Sequence, residues 1–595
     1  TAISYYQGVL DLIEKHNIVR DDWKLEALKG LGEAYFMQCK YDEATNIFQE
    51  AISLAEKMSL ARRQIIMLYH WLTEALFWKN QYDEVICYGE KGLKLLGDDT
   101  ECMEAALMNT CIAYSSRYKG DSKKHEEYIN RNIRFVKNLE YTKELRIAYD
   151  HISQYFLYSK RDINNTLEWI KDLEIQARSK NDIRGIVTAI LGNSDVLFRK
   201  GDLHNALVYF RNANEMSQNI GDNMNSWECY YFIITICTQL GNASEAEIAL
   251  EALGKIEDRM KYNNGTYHSQ LMNFLMLQNH WDKAVDTTKQ YIEIQKNIGN
   301  QLYVERAKFS LGYVHMRKGD YNKALDIFHD FADKNVQSGL FILLERLEYT
   351  YKKLGKYDDF LNFCKDYREK HAEAVRDLPL QQWYLEPAQI SNELSNPVFN
   401  DDFNKDLDPS WTWVDVFNDC HCEITENGIE IHASNGRDLY WPNMSAPRFV
   451  REITGDFAVQ VCVSPATKDK PQIGGLLIWK DDKNYVCFER GRNDPYGFWF
   501  YGCINKEEQM VGRGLLPEES EFTYIRLERN GNEISAYCSI DNENWLTCGK
   551  LSFPVDDPIQ VGIYAIGMID RTTYCGEYRE GTATLFRNFR ILTKG

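Results

Sequence analysis

Trp479, Tyr485 and Glu489 are the residues whose types and spacing could recognise a ligand. In the segment GGLLIWKDDKNYVCFERG, a loop over 480–484 joins two alternating stretches and sets Trp479 opposite Tyr485. Alternation then places the three side chains on the face of the hairpin that does not form the core. The ring face of a sugar stacks on aromatic side chains, and sugar hydroxyls donate to carboxylates. This face is therefore predicted to bind an oligosaccharide.

The next strand enlarges this candidate face. In the segment GFWFYG, Trp499 and Tyr501 join the face if Phe498 and Phe500 point towards the core. The alternative is that a covering loop buries all of these rings, and the sequence leaves both interpretations open. The predicted ligand-binding face comprises Trp479, Tyr485, Glu489, Trp499 and Tyr501.

The motifs do not indicate catalysis. Hydrolysis of a glycosidic bond usually needs two carboxylates, for example on one strand with a spacing such as E-x-D-x-x-E, and Glu489 has no partner at such a spacing. The sequence also lacks the motifs G-x-x-x-x-G-K-[ST], H-E-x-x-H and G-x-S-x-G. We therefore expect a protein that is not an enzyme, with no catalytic residues and no cofactor.

Metal binding has weak support in the sequence. The pair of thiols in the segment CHC at 420–422 lacks a second pair of ligands, so a zinc site is not predicted. Calcium is an alternative because Asp401 and Asp402 open the β-rich region. Adjacent acids on a strand point to opposite faces, however, and no metal ligand is assigned.

The composition disfavours several classes of partner. The chain has 595 residues and a net charge of −19, which repels phosphate backbones, so direct nucleic-acid binding is not expected. No uncharged apolar run reaches the length of about eighteen residues that a membrane span needs. Fifteen cysteines without a C-x-x-C pair are typical of reduced thiols, and a cytoplasmic location is expected.

The first part of the chain reads as a helical array with a period of about forty residues. In LKGLGEAYFMQCKYDEATNIFQEAISLAEKM, Gly32 and Ala44 let two helices approach, while Tyr35 and Phe48 fill the space beside them. The turn between the helices recurs in the segments QYDEV, KGDSKK, KRDINN, KGDLHNA, LGNASEA, NHWDKA, KGDYNKA and LGKYDDF. This predicts about nine helical hairpins over 1–376, the first of them truncated.

These units resemble tetratricopeptide repeats of the long type found in the sensor regions of bacterial STAND ATPases and transcriptional activators. The resemblance implies a superhelix whose first helices line a groove for a peptide, a sugar or a partner helix. The truncated first repeat suggests a fragment whose full-length protein carries N-terminal effector domains. The positions that match the groove are His70, Glu74, Phe77, Trp78, Tyr231, Asn273, Tyr313, Arg317 and Tyr349.

The last part of the chain reads as an all-β domain. Three prolines punctuate 377–397, which is predicted to be a linker or a packed connection, and 398–595 shows short alternating segments between turns. Asn530 and Gly531 are predicted to occupy the centre of a type I′ hairpin turn, with Arg529 opposite Asn532. One face of this hairpin is expected to be core and the other solvated.

Six ordered motifs in this region resemble the DUF1349 type of concanavalin A-like β-sandwich, which is related to modules of bacterial β-xylosidases. They are FNDDFNKDLDPSWTW, NGIEIHASNGRDLYW, APRFVREITGDFAVQVCV, IGGLLIWKDDKNYVCFERG, YIRLERNGNEISAYCSIDNENW and VGIYAIG. The resemblance covers about 397–592 and implies a two-sheet jelly roll. For function it suggests, without establishing it, carbohydrate binding.

Three hypotheses follow from these observations. The favoured one is a non-catalytic sensor region of a larger bacterial signalling protein, a STAND-type ATPase or a transcriptional activator, with a defence-type STAND sensor as a variant. The second is a scaffold whose groove binds a protein or peptide partner. The third, and the least favoured, is a glycoside-active enzyme, which requires two carboxyl groups about 5 to 10 Å apart on the concave sheet face.

Overall fold

A computed structural model describes the chain over 2–260, 265–298, 301–334, 340–372, 385–404, 406–465, 472–491, 496–516, 521–569 and 581–595. It divides into two compact units. The first comprises 1–197, 204–233 and 249–263, and the second comprises 198–203, 234–248 and 264–595. Helices come first along the chain and strands last, which confirms the predicted α plus β fold class.

Nineteen α-helices within the described residues form a succession of antiparallel hairpins. Their bounds are α1 Ala2–Lys15, α2 Asp21–Met37, α3 Tyr41–Lys57, α4 Arg62–Trp78, α5 Tyr82–Leu96, α6 Met103–Tyr118, α7 Ser122–Phe135, α8 Arg146–Gln154, α9 Ile163–Ser179, α10 Ile183–Arg199, α11 Leu203–Asn219, α12 Asn223–Gln239, α13 Ala243–Met260, α14 Thr266–Leu277, α15 Trp281–Ile298, α16 Gln301–Lys318, α17 Tyr321–Lys334, α18 Leu340–Lys353 and α19 Tyr357–Lys370. The even-numbered helices from α2 onward are the first helices of the hairpins. Every second helix begins at a turn segment that the sequence predicts.

Each hairpin turn contains one residue with a positive φ. The residues at these nine turns are Cys39, Asn80, Gly120, Arg161, Gly201, Gly241, Asn279, Gly319 and Gly355. A left-handed residue just after a helix closes its last turn and redirects the chain, and glycine and asparagine adopt that conformation at the lowest cost. The period of about forty residues is therefore marked in the sequence mainly by a recurring turn residue with a positive φ.

Small residues at the first helices set the packing distance inside a hairpin. A Cβ atom on Gly32 would lie 2.6 Å from Cε1 of Phe48, which is fully buried on the second helix. The same arrangement recurs at Gly312, where a Cβ atom would lie 2.7 Å from Phe328. The predicted pairing of a small residue with an aromatic ring is therefore how the helices approach.

One first helix departs from regular α-geometry. After α8 the chain continues as a π-helical turn over Tyr155–Ser159, and the side-chain hydroxyl of Tyr158 donates to Asp195 on α10. A π-turn shifts the following side chains around the helix axis. This shift sets the helical hairpin of α8 and α9 apart from its neighbours.

Strands begin inside the predicted connection and continue to the C-terminal end. Their bounds are β1 Glu386–Ala388, β2 Leu394–Asp401, β3 Thr412–Val414, β4 His421–Thr425, β5 Gly428–Ala433, β6 Leu439–Tyr440, β7 Asn443–Met444, β8 Arg448–Ile453, β9 Phe457–Pro465, β10 Ile473–Asp481, β11 Asn484–Arg490, β12 Gly497–Ile504, β13 Glu507–Leu515, β14 Thr523–Asn530, β15 Glu533–Ser539, β16 Trp545–Ser552, β17 Ile559–Ile566 and β18 Thr582–Lys594. The part of the predicted connection over 377–384 lies outside the described residues.

Two antiparallel sheets form a sandwich. The nine-stranded sheet has the order β1-β16-β15-β14-β9-β18-β5-β4, with β2 beside β18, and the seven-stranded sheet has the order β13-β12-β11-β10-β17-β8-β3. Apolar side chains of both sheets, among them Leu476, Phe488, Ile525 and Leu527, make one core between them. The fold places one outer face of each sheet away from this core.

The predicted turn of the β14–β15 hairpin is wrong by one residue. Asn530 pairs with Glu533, so Gly531 and Asn532 form the turn, and only Gly531 has a positive φ. This is the pattern of a type II′ turn, in which glycine occupies the first central position. The Gly531 amide donates to Asp456, which holds the turn in this register. Moving the turn by one residue changes the strand pairing by two residues, so each side chain stays on its predicted face.

The outer face of this hairpin is buried, although the sequence predicts a solvated one. Arg526 is 1% exposed and binds Glu528, Gln460 and the carbonyl oxygen of Leu394. The Ser391 amide also donates to Glu528. The segment that leads into the sandwich therefore covers this face, a long-range contact that alternation within a hairpin cannot reveal.

A pair of glycine substitutions tests the packing inside the helical hairpins. Gly32→Ala should destabilise the chain by about 1–3 kcal/mol because the added methyl group overpacks the Phe48 ring. Gly8→Ala on α1 has no atom within 4 Å of its Cβ and should stabilise by about 0.5–1 kcal/mol through helix propensity. Thermal unfolding followed by circular dichroism measures both. Equal shifts for the two variants would contradict the packing argument.

Candidate functional site

The five residues of the predicted ligand-binding face lie together on the outer face of the seven-stranded sheet. Trp479 pairs with Tyr485, and Glu489 pairs with Trp499, as the sequence predicts for the first hairpin. Phe498 and Phe500 point into the main core, so Trp499 and Tyr501 point outwards. We call Trp479, Tyr485, Glu489, Trp499 and Tyr501 the aromatic layer.

The aromatic layer is buried by the protein's own chain. Trp479 and Trp499 are each 8% exposed, and Glu489 is fully buried. The segment 437–446, which contains the short strands β6 and β7, lies against it and is called the covering segment. The Tyr501 hydroxyl donates to the Leu439 carbonyl oxygen at 3.1 Å, and the Trp441 amide donates to the Tyr485 hydroxyl at 3.2 Å. A covering element, which the sequence leaves open as an alternative, is thus present in the structure.

Charged groups are built into the aromatic layer. The guanidinium of Arg448 lies 4.7 Å from the ring centre of Trp479, and that of Arg513 lies 4.0 Å from the ring centre of Trp499. The Tyr564 hydroxyl donates to Glu489 at 2.9 Å. On the opposite face of the same strands, apolar side chains such as Leu476, Phe488 and Phe500 join the main core, and Arg490 on β11 donates to the Val463 carbonyl oxygen. The outer face combines aromatic rings with buried charged groups.

Burial changes the acidity of groups within the layer. Desolvation raises the pKa of the Cys487 thiol to about 12, with a further contribution from the nearby Glu489. Desolvation also raises the pKa of the Tyr485 hydroxyl well above its ordinary value. Both groups are neutral hydrogen-bonding groups near neutral pH, so neither is a nucleophile in this environment.

The covering segment is anchored at its first residue. Arg437 donates to Asp419 through Nε and Nη2, and its Nη1 donates to the Gly201 carbonyl oxygen at 2.7 Å. The side chain is 2% exposed and stacks on Phe417. Gly201 belongs to the same compact unit as the sandwich. This one arginine therefore fixes the end of the segment that covers the aromatic layer.

The predicted groove positions fall into the two compact units and are described separately. In the first unit, His70 is buried, Glu74, Phe77 and Trp78 are half-buried, and Tyr231 is exposed. In the second unit, Asn273, Tyr313, Arg317 and Tyr349 are all half-buried. Whether any of them binds a ligand stays a prediction.

The first helices of the first unit carry a cluster of carboxylates around Glu228 that the sequence reasoning missed. Three carboxylates, Asp150, Asp195 and Asp222, repel Glu228. Desolvation, followed by this repulsion, raises the pKa of Glu228 to about 8. Desolvation, with repulsion from Asp195, raises that of Asp150 to about 6, against the effects of a hydrogen bond from Gln154 and of Arg146. Among the described residues, no cation contributes to lowering the pKa of Glu228.

Two arginines and two tyrosines also belong to this region. Arg146 lowers the pKa of both Glu74 and Asp150, while desolvation raises that of Glu74 to about 7. Arg184 forms an ion pair with Asp222 at 3.0 Å. Tyr114, which stacks on His151, and Tyr158, which donates to Asp195, also lie in this region.

The sequence holds a weak signal for this cluster. His70 and Glu74 mark groove positions on α4, and the corresponding region of α8 carries Asp150. The π-turn after α8 breaks the alignment with the other repeats, so the periodicity does not assign Asp150 to the groove. The convergence of α8, α10 and α12 on Glu228 depends on packing between hairpins.

The candidate metal ligands are engaged in protein contacts. Asp401 accepts from the Phe403 amide and from the Trp411 indole nitrogen, which accounts for both of its carboxylate oxygens. Within the described residues, three ligand groups come within 4.8 Å of one another at Asp415, Asp419 and Cys420. Asp419 is the partner of Arg437, so this cluster is explained by the anchor of the covering segment. No disulfide joins the described cysteines.

Part of the chain is similar to known proteins. Residues 417–567 match the family DUF1349, described as a protein of unknown function. The GH43 protein BlXynB from Bacillus licheniformis is similar at 14% identity over 35% of this chain, with a TM-score of 0.27, and the match spans 40% of that protein's length. No curated protein matches this chain. Among the described residues, no helix has the length and apolarity to cross a membrane.

Two smaller solved structures are also similar. The carbohydrate-binding module CBM66 from Bacillus subtilis matches at 12% identity over 31% of this chain and 96% of the module, with a TM-score of 0.23. A functionally unknown protein from Saccharomyces cerevisiae matches at 15% identity over 31% of this chain and 97% of that one, with a TM-score of 0.24. These likenesses concern the fold and do not identify a ligand.

The carboxylate cluster predicts a pH-dependent cost to stability. The pKa of Glu228 rises from an ordinary 4.5 to about 8 in the folded chain, so stability is lost as the pH rises between these values. Glu228→Gln removes this cost, and its gain in thermal midpoint over the parent should be larger at about pH 9 than at about pH 5. Glu215→Gln, at an exposed position on α11, should show little gain at either pH. A gain that is equal at both pH values would refute the repulsion.

Proposed function

We propose that this chain is a non-catalytic recognition module whose sandwich binds an oligosaccharide through the aromatic layer. One observation carries the proposal: two arginine-capped tryptophans, two tyrosines and a buried glutamate converge on a single sheet face. Stacking on Trp479 or Trp499 would hold a sugar ring, and Glu489 would accept from its hydroxyls. The likeness to the fold of a carbohydrate-binding module is compatible with this function but does not support it further.

The buried charges favour a functional over a purely structural role. Placing Glu489, Arg448 and Arg513 against an apolar surface costs desolvation energy that aliphatic side chains would avoid. Binding sites are one place where proteins keep such groups. In this structure Arg513 pairs with Glu345 at 3.1 Å, and Arg448 donates to the Met444 and Ala446 carbonyl oxygens. A saccharide would replace contacts that the covering segment now makes with the layer.

Access to the layer requires movement of the covering segment. The contacts from Leu439 and Trp441 occupy the hydroxyls of Tyr501 and Tyr485, so a sugar competes with the protein's own chain. The apparent affinity is then reduced by the fraction of molecules in which the segment is displaced. Binding is therefore proposed to be weak in the parent and stronger when the anchor at Arg437 is removed.

The proposal of a non-catalytic module rests on the spacing of the glutamates. Glu489 on β11 and Glu508 on β13 share the outer face, but their partners on the intervening strand β12, Trp499 and Cys503, lie four residues apart. Hydrolysis of a glycosidic bond by the common mechanism needs carboxyl groups within about 10 Å of each other. Glu489 is held by Tyr564 and Glu508 by Tyr440, which suits fixed hydrogen-bond acceptors.

We also propose the wider context in which such a module would act. A helical repeat array next to a ligand-binding sandwich suits a sensor of a larger signalling protein, of the STAND ATPase or transcriptional activator type, or of its defence-type variant. The array would be of the tetratricopeptide class and would pass a ligand-dependent change to effector domains. Reporter assays in the full-length protein, with and without the bound sugar, test this context.

A scaffold is the second candidate function. The observation that favours it is the covering segment itself, because a face that seats one peptide segment tightly can be an internal docking surface. In that case the aromatic layer serves assembly of this chain, and the groove of the helical array binds a protein or peptide partner.

Calorimetry with xylo-, cello-, malto- and arabino-oligosaccharides tests the proposal. We expect one oligosaccharide series to bind the parent protein. Its affinity should be about tenfold or more lower for Trp479→Ala and for the more conservative substitution Trp479→Phe. Trp23→Ala, which removes a half-exposed indole from α2, should leave the affinity unchanged. Arg437→Ala should raise the affinity because it releases the covering segment.

The outcomes separate the two candidates. If no series binds either the parent or Arg437→Ala, the sugar proposal fails and the scaffold remains. Release of reducing sugar that Glu489→Gln abolishes would overturn the non-catalytic part of the proposal. Circular dichroism of each variant shows whether a loss of binding reflects a loss of fold.

A further inference from the structure

The turn between α10 and α11 contacts the covering segment. Residues Phe198–Leu203 belong to the second compact unit together with the sandwich, although α10 before them and α11 after them belong largely to the first unit. We call Phe198–Leu203 the docking turn. Its contacts with the sandwich therefore lie within one compact unit, and they bear on the segment that covers the aromatic layer.

Three contacts join the docking turn to the covering segment and to the residue before it. The Gly201 carbonyl oxygen accepts a hydrogen bond from Arg437 Nη1 at 2.7 Å. A Cβ atom on Gly201 would lie 2.6 Å from both Nδ2 and Oδ1 of Asn443, so the amide of Asn443 packs directly on the glycine. A Cβ atom on Gly436 would lie 2.6 Å from Cδ1 of Leu203, which is 2% exposed. The two segments thus interlock without space for another methyl group at either glycine.

Asn443 links the docking turn to the β6–β7 hairpin of the covering segment. It pairs with Tyr440 across this hairpin. Its Nδ2 atom donates to the Gly436 carbonyl oxygen at 2.8 Å, and its Oδ1 atom accepts from the Ser445 hydroxyl at 2.5 Å. The same hairpin makes the hydrogen bonds to the two tyrosine hydroxyls of the aromatic layer. Movement of the hairpin off the layer therefore also moves the Asn443 amide away from Gly201.

The contact at Gly201 is specific to one turn of the helical array. Gly120, Gly319 and Gly355 occupy the corresponding positive-φ positions of other hairpin turns. Among the described residues, no atom lies within 4 Å of a Cβ atom built on any of these three glycines. The repeat requires a residue with a positive φ at each turn, but it does not require a contact there. Docking is therefore a property of the α10–α11 turn and not of the repeat.

We propose that the docking turn is a clamp that holds the covering segment closed over the aromatic layer. Its regulatory role rests on the proposed function, in which a sugar must displace the covering segment from the layer. Sugar binding and docking of the turn then exclude each other. Linkage acts in both directions: a docked turn lowers the affinity for the sugar, and a bound sugar loosens the turn.

Gly201→Asn tests the clamp with a matched control. Asn80 and Asn279 hold the corresponding positive-φ positions of two other turns, so asparagine suits the backbone at position 201, where φ is 81°. The added side chain meets Asn443 and should force the turn and the covering segment apart. Gly120→Asn makes the same substitution at a φ of 82°, where no described atom lies within 4 Å of the Cβ. Both variants should fold like the parent, which circular dichroism checks.

Hydrogen exchange of the whole chain, read by mass spectrometry without any sugar, measures the clamp itself. Exchange in peptides over 437–446 should be about tenfold faster or more in Gly201→Asn than in the parent, because the segment opens more often. Gly120→Asn should exchange like the parent over the same peptides. Equal exchange of 437–446 in all three proteins overturns the clamp.

Calorimetry with the four oligosaccharide series measures the linkage. The affinity of Gly201→Asn should exceed that of the parent by about fivefold or more, whereas that of Gly120→Asn should equal it. A saturating sugar should also speed hydrogen exchange of the parent over 198–203. Unchanged affinity in Gly201→Asn, or unchanged exchange over 198–203 with the sugar bound, overturns the regulatory role.

The two measurements separate failure of the clamp from failure of the proposed function. If 437–446 exchanges faster in Gly201→Asn but no oligosaccharide binds any variant, the proposed function fails together with the regulatory role, whereas the clamp stands. If a sugar binds through Trp479 but Gly201→Asn exchanges and binds like the parent, the clamp fails and the proposed function stands. Faster exchange together with a higher affinity supports both.

Discussion

Burial of the outer face of the seven-stranded sheet is the constraint on which the second compact unit depends. Trp479, Trp499 and Tyr501 present too much apolar surface to stay in water, yet the same face carries Glu489 and two arginines. The covering segment meets both demands, since its backbone bonds the tyrosine hydroxyls while its side chains pack on the rings. Arg437 fixes the start of this segment, and Arg448 donates to the Met444 and Ala446 carbonyl oxygens near its end.

The helical array obeys a different constraint, the close approach of two helices in each hairpin. A glycine facing a buried aromatic ring sets that distance at Gly32 and again at Gly312. A residue in the left-handed backbone conformation then follows each first helix. Local features thus build the hairpins, and stacking of successive hairpins brings the first helices together. Side chains on those helices, such as Asp150 and Glu228, are drawn close enough to repel one another.

Two regions of the protein share one physical feature: each bears a cost in stability that comes from buried charged or polar groups. In the sandwich the cost is the desolvation of Glu489 and its neighbouring arginines. In the first unit it is the crowding of carboxylates around Glu228 and the buried Nδ1 atom of His70, which has no hydrogen-bond partner. A sugar hydroxyl that binds Glu489, as proposed, would remove part of the first cost.

The sequence by itself determined the features that depend on near neighbours. Turn residues located every second helix, and alternation placed Trp479, Tyr485 and Glu489 on one side of their hairpin, in the observed register. Only the tertiary structure decided what covers that side, why the outer face around Arg526 is buried, and that acids from three helices meet at Glu228. The physical reason is range: helix and strand periods act over a few residues, whereas burial and charge crowding depend on contacts between distant segments.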